Sequence, residues 1–260
     1  MIELRASSTT LVVDERRGAR AVSLTFGGDE VLGSSTPEPG DLADFYDGAF
    51  LLAPFAGRLP AAGVAAGRRR IALEPTHRDG HIDHGLVHSS AWTVVDRSDL
   101  SVTLETRVGE PCVTPARARI RWSVAEDRIA ATLRWDSELP GPVVLGWHPW
   151  FREELRGSRG SVMLDGGRWV DGAGRDTAPP PPPRDAVVHA LRSDPVVVWP
   201  GVLGLRLESA EARAWIVCET FPGAFCVEPL SDLPTRLGHP DGARRHATLS
   251  WSVSRVPAPA

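Results

Sequence analysis

The chain has 260 residues, of which 42% are hydrophobic and 24% charged, and its formal net charge is −4. This balance excludes a strongly basic surface of the kind that binds nucleic acid or anionic membranes. All 29 basic residues are arginine, so Schiff-base chemistry on lysine is excluded as well. We expect one domain over residues 1–260, because β-rich architectures commonly run to this length as a single domain.

Alternation of apolar and polar residues with a period of two predicts β-strands along the whole chain. In 117–124 and 128–135, for example, Ile120 and Trp122 alternate with arginines, and the two runs predict a hairpin with one buried face. No segment has the apolar stripe of a three-turn helix, so we predict an all-β sandwich or barrel. In chain order the predicted strands are 10–14, 19–26, 92–96, 100–107, 117–124, 128–135, 161–165, 202–209, 213–218, 224–228 and 247–255.

Membrane and export signals are missing from the sequence pattern. Apolar residues nowhere run for the roughly 18 positions that a membrane-spanning helix needs. The stretch 1–17 has no apolar core of a secretory signal, so we expect a cytoplasmic protein. The three cysteines, Cys112, Cys218 and Cys226, fit neither a disulfide framework nor a zinc ribbon, and we interpret them as small buried hydrophobic residues in a reducing compartment.

A proline-rich segment, 171–185, contains five consecutive prolines. Proline cannot pair inside a sheet, so we predict a stiff surface loop with polyproline II character. A docking motif for a proline-binding partner is the alternative, and we prefer the connector.

Four histidines, His77, His81, His84 and His88, raise the possibility of a metal site. On a helix they would share one face and offer a zinc geometry. The glycines within the run argue against a helix, and no HExxH motif supplies a general base. We therefore predict no metal site here.

Two polar residues are embedded in rigid, apolar surroundings. His148 lies between two tryptophans and before a proline, and Glu228 follows an apolar run directly before Pro229. Taken singly, each has an ordinary structural interpretation: a histidine satisfied in an aromatic corner, and a glutamate in a salt bridge with an arginine such as Arg58. Brought together by the fold, they would form an acid/base pair.

Four motifs in a fixed order resemble those of the aldose 1-epimerase (galactose mutarotase) family. The family carries an "NR" pair after an apolar run, an "HG" followed by tryptophan, a "GxHP" motif ending in aromatic residues, and a late "EP". The corresponding stretches here are Gly57–Arg58, His84–Gly85 with Trp92, Gly146–Phe151 and Val227–Pro234. The resemblance implies a large β-sandwich, the mutarotase-like supersandwich, with a concave sugar-binding face.

The resemblance also implies a role for individual residues. The general acid would be His148 and the general base Glu228. His84 would contact the sugar near the ring oxygen, Arg58 would bind sugar hydroxyls, and the sugar-binding aspartate would be Asp185. The implied reaction interconverts the α and β anomers of a free aldose without metal or nucleotide cofactor, in a protein that is a monomer or homodimer.

The aromatic residues of the third motif suggest a platform for the apolar face of a sugar. We predict this contact for Trp147, with Trp150 and Phe151 as neighbours that belong either to the platform or to the core. Three departures from the family pattern predict an altered specificity or a loss of activity. Gly57 replaces the usual asparagine, and the residues that follow Glu228 differ from the usual polar ones. The segment between Phe151 and Asp185, which should form part of the sugar-facing rim, is short and rich in proline.

Two other functions fit the same residues. One is a non-catalytic carbohydrate-binding protein on the same fold, which would need no matched acid and base. The other is an epimerase-like enzyme for a sugar phosphate, which would need arginines at the site; the one basic run is Gly67–Ile71, which also fits a solvated turn.

Overall fold

The computed structural model describes residues 1–36, 45–60, 64–66, 69–71, 75–76, 80–109, 115–237 and 243–258. His77, Cys112 and part of the basic run 67–71 lie outside these residues. The strands are β1 Ile2–Ala6, β2 Thr9–Asp14, β3 Arg20–Phe26, β4 Asp29–Glu30, β5 Ala49–Leu52, β6 Arg58–Pro60, β7 Val64–Ala66, β8 Arg69–Ile71, β9 His81–Asp83, β10 Thr93–Arg97, β11 Ser101–Val108, β12 Ala116–Ala125, β13 Arg128–Pro142, β14 Gly146–Arg152, β15 Glu154–Leu155, β16 Ser158–Arg159, β17 Ser161–Met163, β18 Gly166–Val170, β19 Asp176–Thr177, β20 Asp185–Leu191, β21 Val196–Trp199, β22 Leu203–Glu208, β23 Ala214–Cys218, β24 Ala224–Leu230 and β25 Ala243–Val256.

Two large antiparallel sheets dominate the fold. The larger sheet has the order β1-β2-β3-β5-β14-β24-β23-β20-β18-β19, with β4 paired to β3. The second has the order β10-β11-β12-β13-β25-β22-β21-β17. A short 3₁₀ helix spans Pro234–Arg236. Among the described residues no helix is long and apolar enough to cross a membrane.

The predicted hairpin is confirmed in β12 and β13. Their facing residues pair in register from Ala116 opposite Ser137 to Ala125 opposite Arg128. Buried positions alternate strictly with accessible ones along β12, as expected for strands with one face against a core. The predicted all-β sandwich is confirmed by the same pairing throughout both sheets.

The two sheets pack against each other through one apolar core to which both contribute. At its centre the ring of Trp147 in the larger sheet stacks on Trp251 in the second sheet, with centroids 5.4 Å apart. Trp122 meets both rings edge-on, at 6.3 and 5.6 Å. The indoles therefore fill the space between the sheets.

The larger sheet has a second apolar cluster on its opposite side, away from the second sheet. Because successive strand residues point to opposite faces, β14 and β24 divide their side chains between the two sides. We call the side toward the second sheet the inner face, and its residues in these strands include Trp147, Phe151, Phe225 and Val227. We call the other side the cleft face, and its residues include His148, Trp150, Cys226 and Glu228.

The prolines that follow His148 and Glu228 do not end the strands. The predicted strand 224–228 stops at Glu228, and no strand is predicted around His148. Both prolines instead lie within strands: Pro149 pairs with Ala49, and Pro229 pairs with Trp215. A proline is accommodated in a strand wherever its missing N–H is not needed by the ladder.

Candidate functional site

A cleft of about 990 Å³ opens on the cleft face of the larger sheet. Five residues predicted from the sequence contribute to its lining: Arg58, His84, His148, Asp185 and Glu228. The volume lies at the upper end of the range found for small-molecule pockets. The fold therefore brings together residues from five separate stretches of the chain.

Strand pairing places His148 directly opposite Glu228. In the β14–β24 ladder Gly146 pairs with Leu230 and Trp150 with Cys226, so the intervening residues of the cleft face meet midway. The distance from His148 Nε2 to Glu228 Oε1 is 3.4 Å. Both side chains are buried, and both sit on central strands, so their separation is set by the ladder and not by a loop.

Glu228 is a carboxyl group held in apolar surroundings. Only 2% of the residue is exposed, and burial raises the pKa of its carboxyl well above the ordinary value. The Cys226 thiol donates a hydrogen bond of 3.1 Å to Oε1 and opposes part of that rise. The second oxygen, Oε2, is buried and has no hydrogen-bond partner among the described residues.

His148 is enclosed by rings. It stacks on Phe50 at 4.5 Å, meets the edge of His84 at 5.1 Å and contacts Trp150 at 4.9 Å, as centroid distances. Burial lowers the pKa of the imidazole well below its ordinary value, and the neighbouring His84 lowers it further. Together with the raised pKa of Glu228, this favours an uncharged pair with the proton on the glutamate.

A buried arginine lies behind this stack. Arg20 is fully buried, forms an ion pair with Asp47, and places its guanidinium carbon 5.0 Å from the Phe50 ring centroid. Phe50 thus separates Arg20 from His148. The positive charge of Arg20 contributes to the lowered pKa of His148, and the layer leaves the imidazole little freedom to turn.

His84 is held by an unusual turn of the backbone. Its φ is 62°, in the left-handed region, and its N–H donates to the Gly57 carbonyl at 3.1 Å. Gly85 follows with a φ of 84°, and a Cβ there would lie 2.3 Å from the Ala53 carbonyl oxygen. Only glycine fits that position, which explains why the "HG" pair occurs as a unit.

No helix forms over the described part of the histidine run. Residues 81–83 are a strand, and 84–90 form bends and turns, so the helical zinc face considered from the sequence does not exist there. His84 and His88 instead both pack on Phe45, with centroids 5.4 and 4.5 Å apart.

Arg58 and Asp185 lie at the polar end of the cleft. The sequence suggested Arg58 as the partner of Glu228, whereas in the structure Arg58 Nε lies 3.4 Å from Asp83 Oδ1. Burial raises the pKa of Asp185, and the charge of Arg58 partly offsets the rise. Asp185 pairs in register with Cys218 on β23, the strand that lies between β20 and the β24 strand of Glu228.

The placement of Trp147 corrects the prediction of a sugar contact. Its side chain is fully buried between the sheets and does not line the cleft, because position 147 falls on the inner face. Phe151 lies on the same face. Trp150, two residues from His148, does line the cleft, and Tyr46 stacks on it at 6.0 Å.

Sequence reasoning missed two aromatic residues that line the cleft, Phe45 and Tyr46, and the ring that stacks on His148, Phe50. Their signal was present: an aromatic pair precedes β5, and the third ring lies within the apolar run of β5 itself. Cys226 was also missed, because a cysteine within an apolar strand has the same pattern as a core residue.

The proline-rich segment forms a rim, as predicted. It is mainly exposed, and Ala178 and the next three prolines line the cleft. Pro234 and Thr235 of the 3₁₀ helix also line it. A Cβ at Gly57 would lie 3.3 Å from Pro234 Cβ, so the glycine leaves room for the helix at this point.

Comparisons with known proteins bear on the fold. No protein-family model matches the sequence, and no curated protein matches it. A crystal structure of a putative aldose 1-epimerase from Escherichia coli K12 matches with a TM-score of 0.81 and 20% identity, covering 98% of each chain. A GalM/aldose epimerase homologue from C. elegans matches with a TM-score of 0.76 and 16% identity, covering 99% of this chain and 98% of that one. A galactose mutarotase-like protein from Lactobacillus casei matches with a TM-score of 0.74 and 17% identity, covering 98% of this chain and all of that one. The chain therefore has the galactose mutarotase-like fold over nearly its whole length.

Proposed function

We propose that this chain, built on the galactose mutarotase-like fold, is an aldose 1-epimerase-type isomerase that interconverts the α and β anomers of a free aldose. One observation carries the proposal: a histidine and a glutamate face each other on adjacent central strands, 3.4 Å apart, at the floor of the cleft. A protein that only binds sugars has no need of a buried, matched acid and base.

The reaction needs one proton donor and one acceptor. Ring opening delivers a proton to the ring oxygen and removes one from the C1 hydroxyl, giving the open aldehyde. After rotation about C1–C2, the group that gained a proton returns it to the carbonyl oxygen, and the other group takes the proton of the former ring oxygen. The pair therefore holds one proton in total throughout, and no redox step occurs.

Either residue can begin the cycle as donor. The family pattern makes His148 the acid and Glu228 the base, whereas burial favours the form with the proton on Glu228. Ring closure is the reverse of ring opening. The form with the proton on His148 and the form with the proton on Glu228 therefore lead through the same open aldehyde, with the roles of donor and acceptor exchanged. Each proton transfer by a positioned side chain contributes about 10²–10⁴-fold to the rate.

The remaining cleft residues suit a neutral, hydroxyl-rich ligand. Arg58 and Asp185 supply charged donors and acceptors at one end, and His84 lies beside His148. Trp150 supplies an aromatic surface for the C–H face of a sugar. Among the described side chains that line the cleft, Arg58 is the one arginine, and this favours a free aldose over a sugar phosphate.

The test is anomer equilibration followed by polarimetry or NMR over a panel of free and phosphorylated aldoses. We expect a rate above the spontaneous one for at least one free aldose. Glu228→Gln should lower kcat by about 10² or more with little change in KM, because the amide keeps the shape but accepts no proton. Sugar binding without turnover by the native protein would favour the non-catalytic carbohydrate-binding function instead.

A further inference from the structure

A third group, which anomer exchange does not use, lies beside the pair formed by His148 and Glu228. Cys226 is fully buried on the cleft face, two residues from Glu228, and its thiol contacts the same carboxyl oxygen that faces His148. Imidazole nitrogen, thiol sulfur and carboxylate oxygen thus converge on one point. All three types are ligands of zinc in proteins.

We propose that His148, Cys226 and Glu228 form a binding site for a borderline-soft divalent cation of the zinc class. One ligand atom from each residue lies within 4.8 Å of the other two. Zinc bonds of about 2.0–2.3 Å at tetrahedral angles place ligand atoms roughly 3.5 Å apart. Two of the three separations here, 3.1 and 3.4 Å, are already close to that value.

A second observation points to a ligand at the same place. Glu228 Oε2 is buried and has no hydrogen-bond partner among the described residues, an arrangement that is unfavourable for a polar atom. A bound cation would offer the carboxylate a partner. Three protein ligands leave a fourth position of a tetrahedral zinc ion open, on the side where His148 and Glu228 line the cleft.

The combination of ligands selects among metals. A thiolate disfavours Mg²⁺ and Ca²⁺, which prefer oxygen ligands, whereas the imidazole and thiolate suit Zn²⁺ and Co²⁺. The site is distinct from the histidine run at 81–88, which includes neither Cys226 nor Glu228. Metal binding here is a property of the chain without substrate, so it stands or fails independently of the proposed function.

One consequence does rest on the proposed function. A cation bound to His148 and Glu228 would occupy the lone pairs that both proton transfers need, so it would inhibit anomer exchange and not assist it. Zn²⁺ should slow the reaction of the native protein, and a chelator should restore it.

The binding test is a Co²⁺ titration of protein stripped with EDTA and desalted, followed by absorption spectroscopy. We expect one equivalent to bind with a sulfur-to-cobalt charge-transfer band in the near ultraviolet, and one equivalent of Zn²⁺ to abolish the band. Cys226→Ser should lose the band. Cys218→Ser is the matched control, since Cys218 is a buried cysteine directly opposite on β23 but lies outside the three-residue cluster, and it should keep the band.

Absence of the band in the native protein under excess Co²⁺ would overturn the proposal. So would a band that survives in Cys226→Ser. If circular dichroism shows that Cys226→Ser fails to fold, Glu228→Gln decides the question, because it keeps the shape of the site. It should weaken Co²⁺ binding by at least about tenfold, since metal affinity falls by that much even when only a residue that contacts a ligand is changed. Unchanged affinity in Glu228→Gln would equally refute the site.

Discussion

The two faces of the larger sheet differ although their residues alternate along the same strands. On the inner face, Trp147 and Val227 are fully buried and belong to the apolar core of the sandwich. On the cleft face, His148 and Glu228 are almost as deeply buried, yet both are titratable. Burial of apolar side chains on the inner face contributes to stability, whereas burial on the cleft face opposes the ionisation of His148 and Glu228.

This difference separates the tasks of the sheet. The inner face supplies the packing that holds β14 and β24 in register, and on the cleft face that register sets the distance between His148 and Glu228. A change at an inner-face position should therefore affect stability, while a change at the neighbouring cleft-face position should affect activity. Four predictions test this separation, beginning with the largest expected effect.

His148→Asn should abolish anomer exchange with little effect on the fold. The amide is close in size to the imidazole but transfers no proton, so we expect kcat to fall by about 10²–10⁴-fold. The double variant with Glu228→Gln should be little worse than either single one, because the two transfers act as a unit. Polarimetry measures the rate, and a circular dichroism melt checks the fold; a rate near that of the native protein would refute the pair.

Trp147→Ala, one residue earlier, should have the opposite signature. Removing a fully buried indole between the sheets leaves a cavity and should cost about 3–5 kcal/mol of the free energy of unfolding. Activity per folded molecule should be retained, because the side chain does not line the cleft. Urea denaturation measures the loss, with Trp147→Phe as a milder control; a stable variant with impaired turnover would contradict the assignment of Trp147 to the inner face.

Glu228→Gln should stabilise the protein, and the gain should increase with pH. Burial raises the pKa of Glu228 in the folded state. The folded protein therefore has its full stability below the pKa of this group in the unfolded chain, where Glu228 is protonated. That stability is lost as the pH rises through the pKa in the folded state. Glutamine does not titrate, and we expect a gain of about 0.5–2 kcal/mol at neutral pH. Thermal melts at several pH values provide the measurement.

Glu219→Gln is the control of opposite sign for this experiment. Although burial tends to raise its pKa, hydrogen bonds from Arg184 hold the pKa of the Glu219 carboxyl below its ordinary value. The ionised Glu219 therefore stabilises the folded protein above the pKa of this group in the unfolded chain. This stabilisation is lost as the pH falls through the pKa in the folded state. The variant should be less stable than the native protein at neutral pH, and the difference should shrink in acid.

The smallest expected effect concerns the position of the pH profile. In the proposed reaction the pair works with one proton, so the rate should fall in acid when both groups are protonated and in alkali when neither is. Burial lowers the pKa of His148 below its ordinary value of 6.5 and raises that of Glu228 above 4.5, so we expect the acid limb below pH 6.5. A profile of kcat/KM against pH tests this; an acid limb at or above 6.5 would indicate a solvated histidine.

Much of the fold was predictable from the sequence because a half-buried strand shows its periodicity directly. The hairpin of β12 and β13 has one solvated face, and its arginines mark that face residue by residue. β14 offers no such contrast, since six consecutive residues from Gly146 to Phe151 are all buried. Its strand character and the faces of its side chains could not be predicted from periodicity.

The sequence by itself determined the residue types needed for the chemistry, their order along the chain and the glycine that the turn at His84 requires. Only the tertiary structure decided that Trp150 and not Trp147 lines the cleft, that Arg58 pairs with Asp83, and that Cys226 joins the site. The physical reason is that the larger sheet is covered on both sides at its centre, so hydrophobicity no longer distinguishes its faces. There the pairing of strands distant in sequence determines which side chains meet.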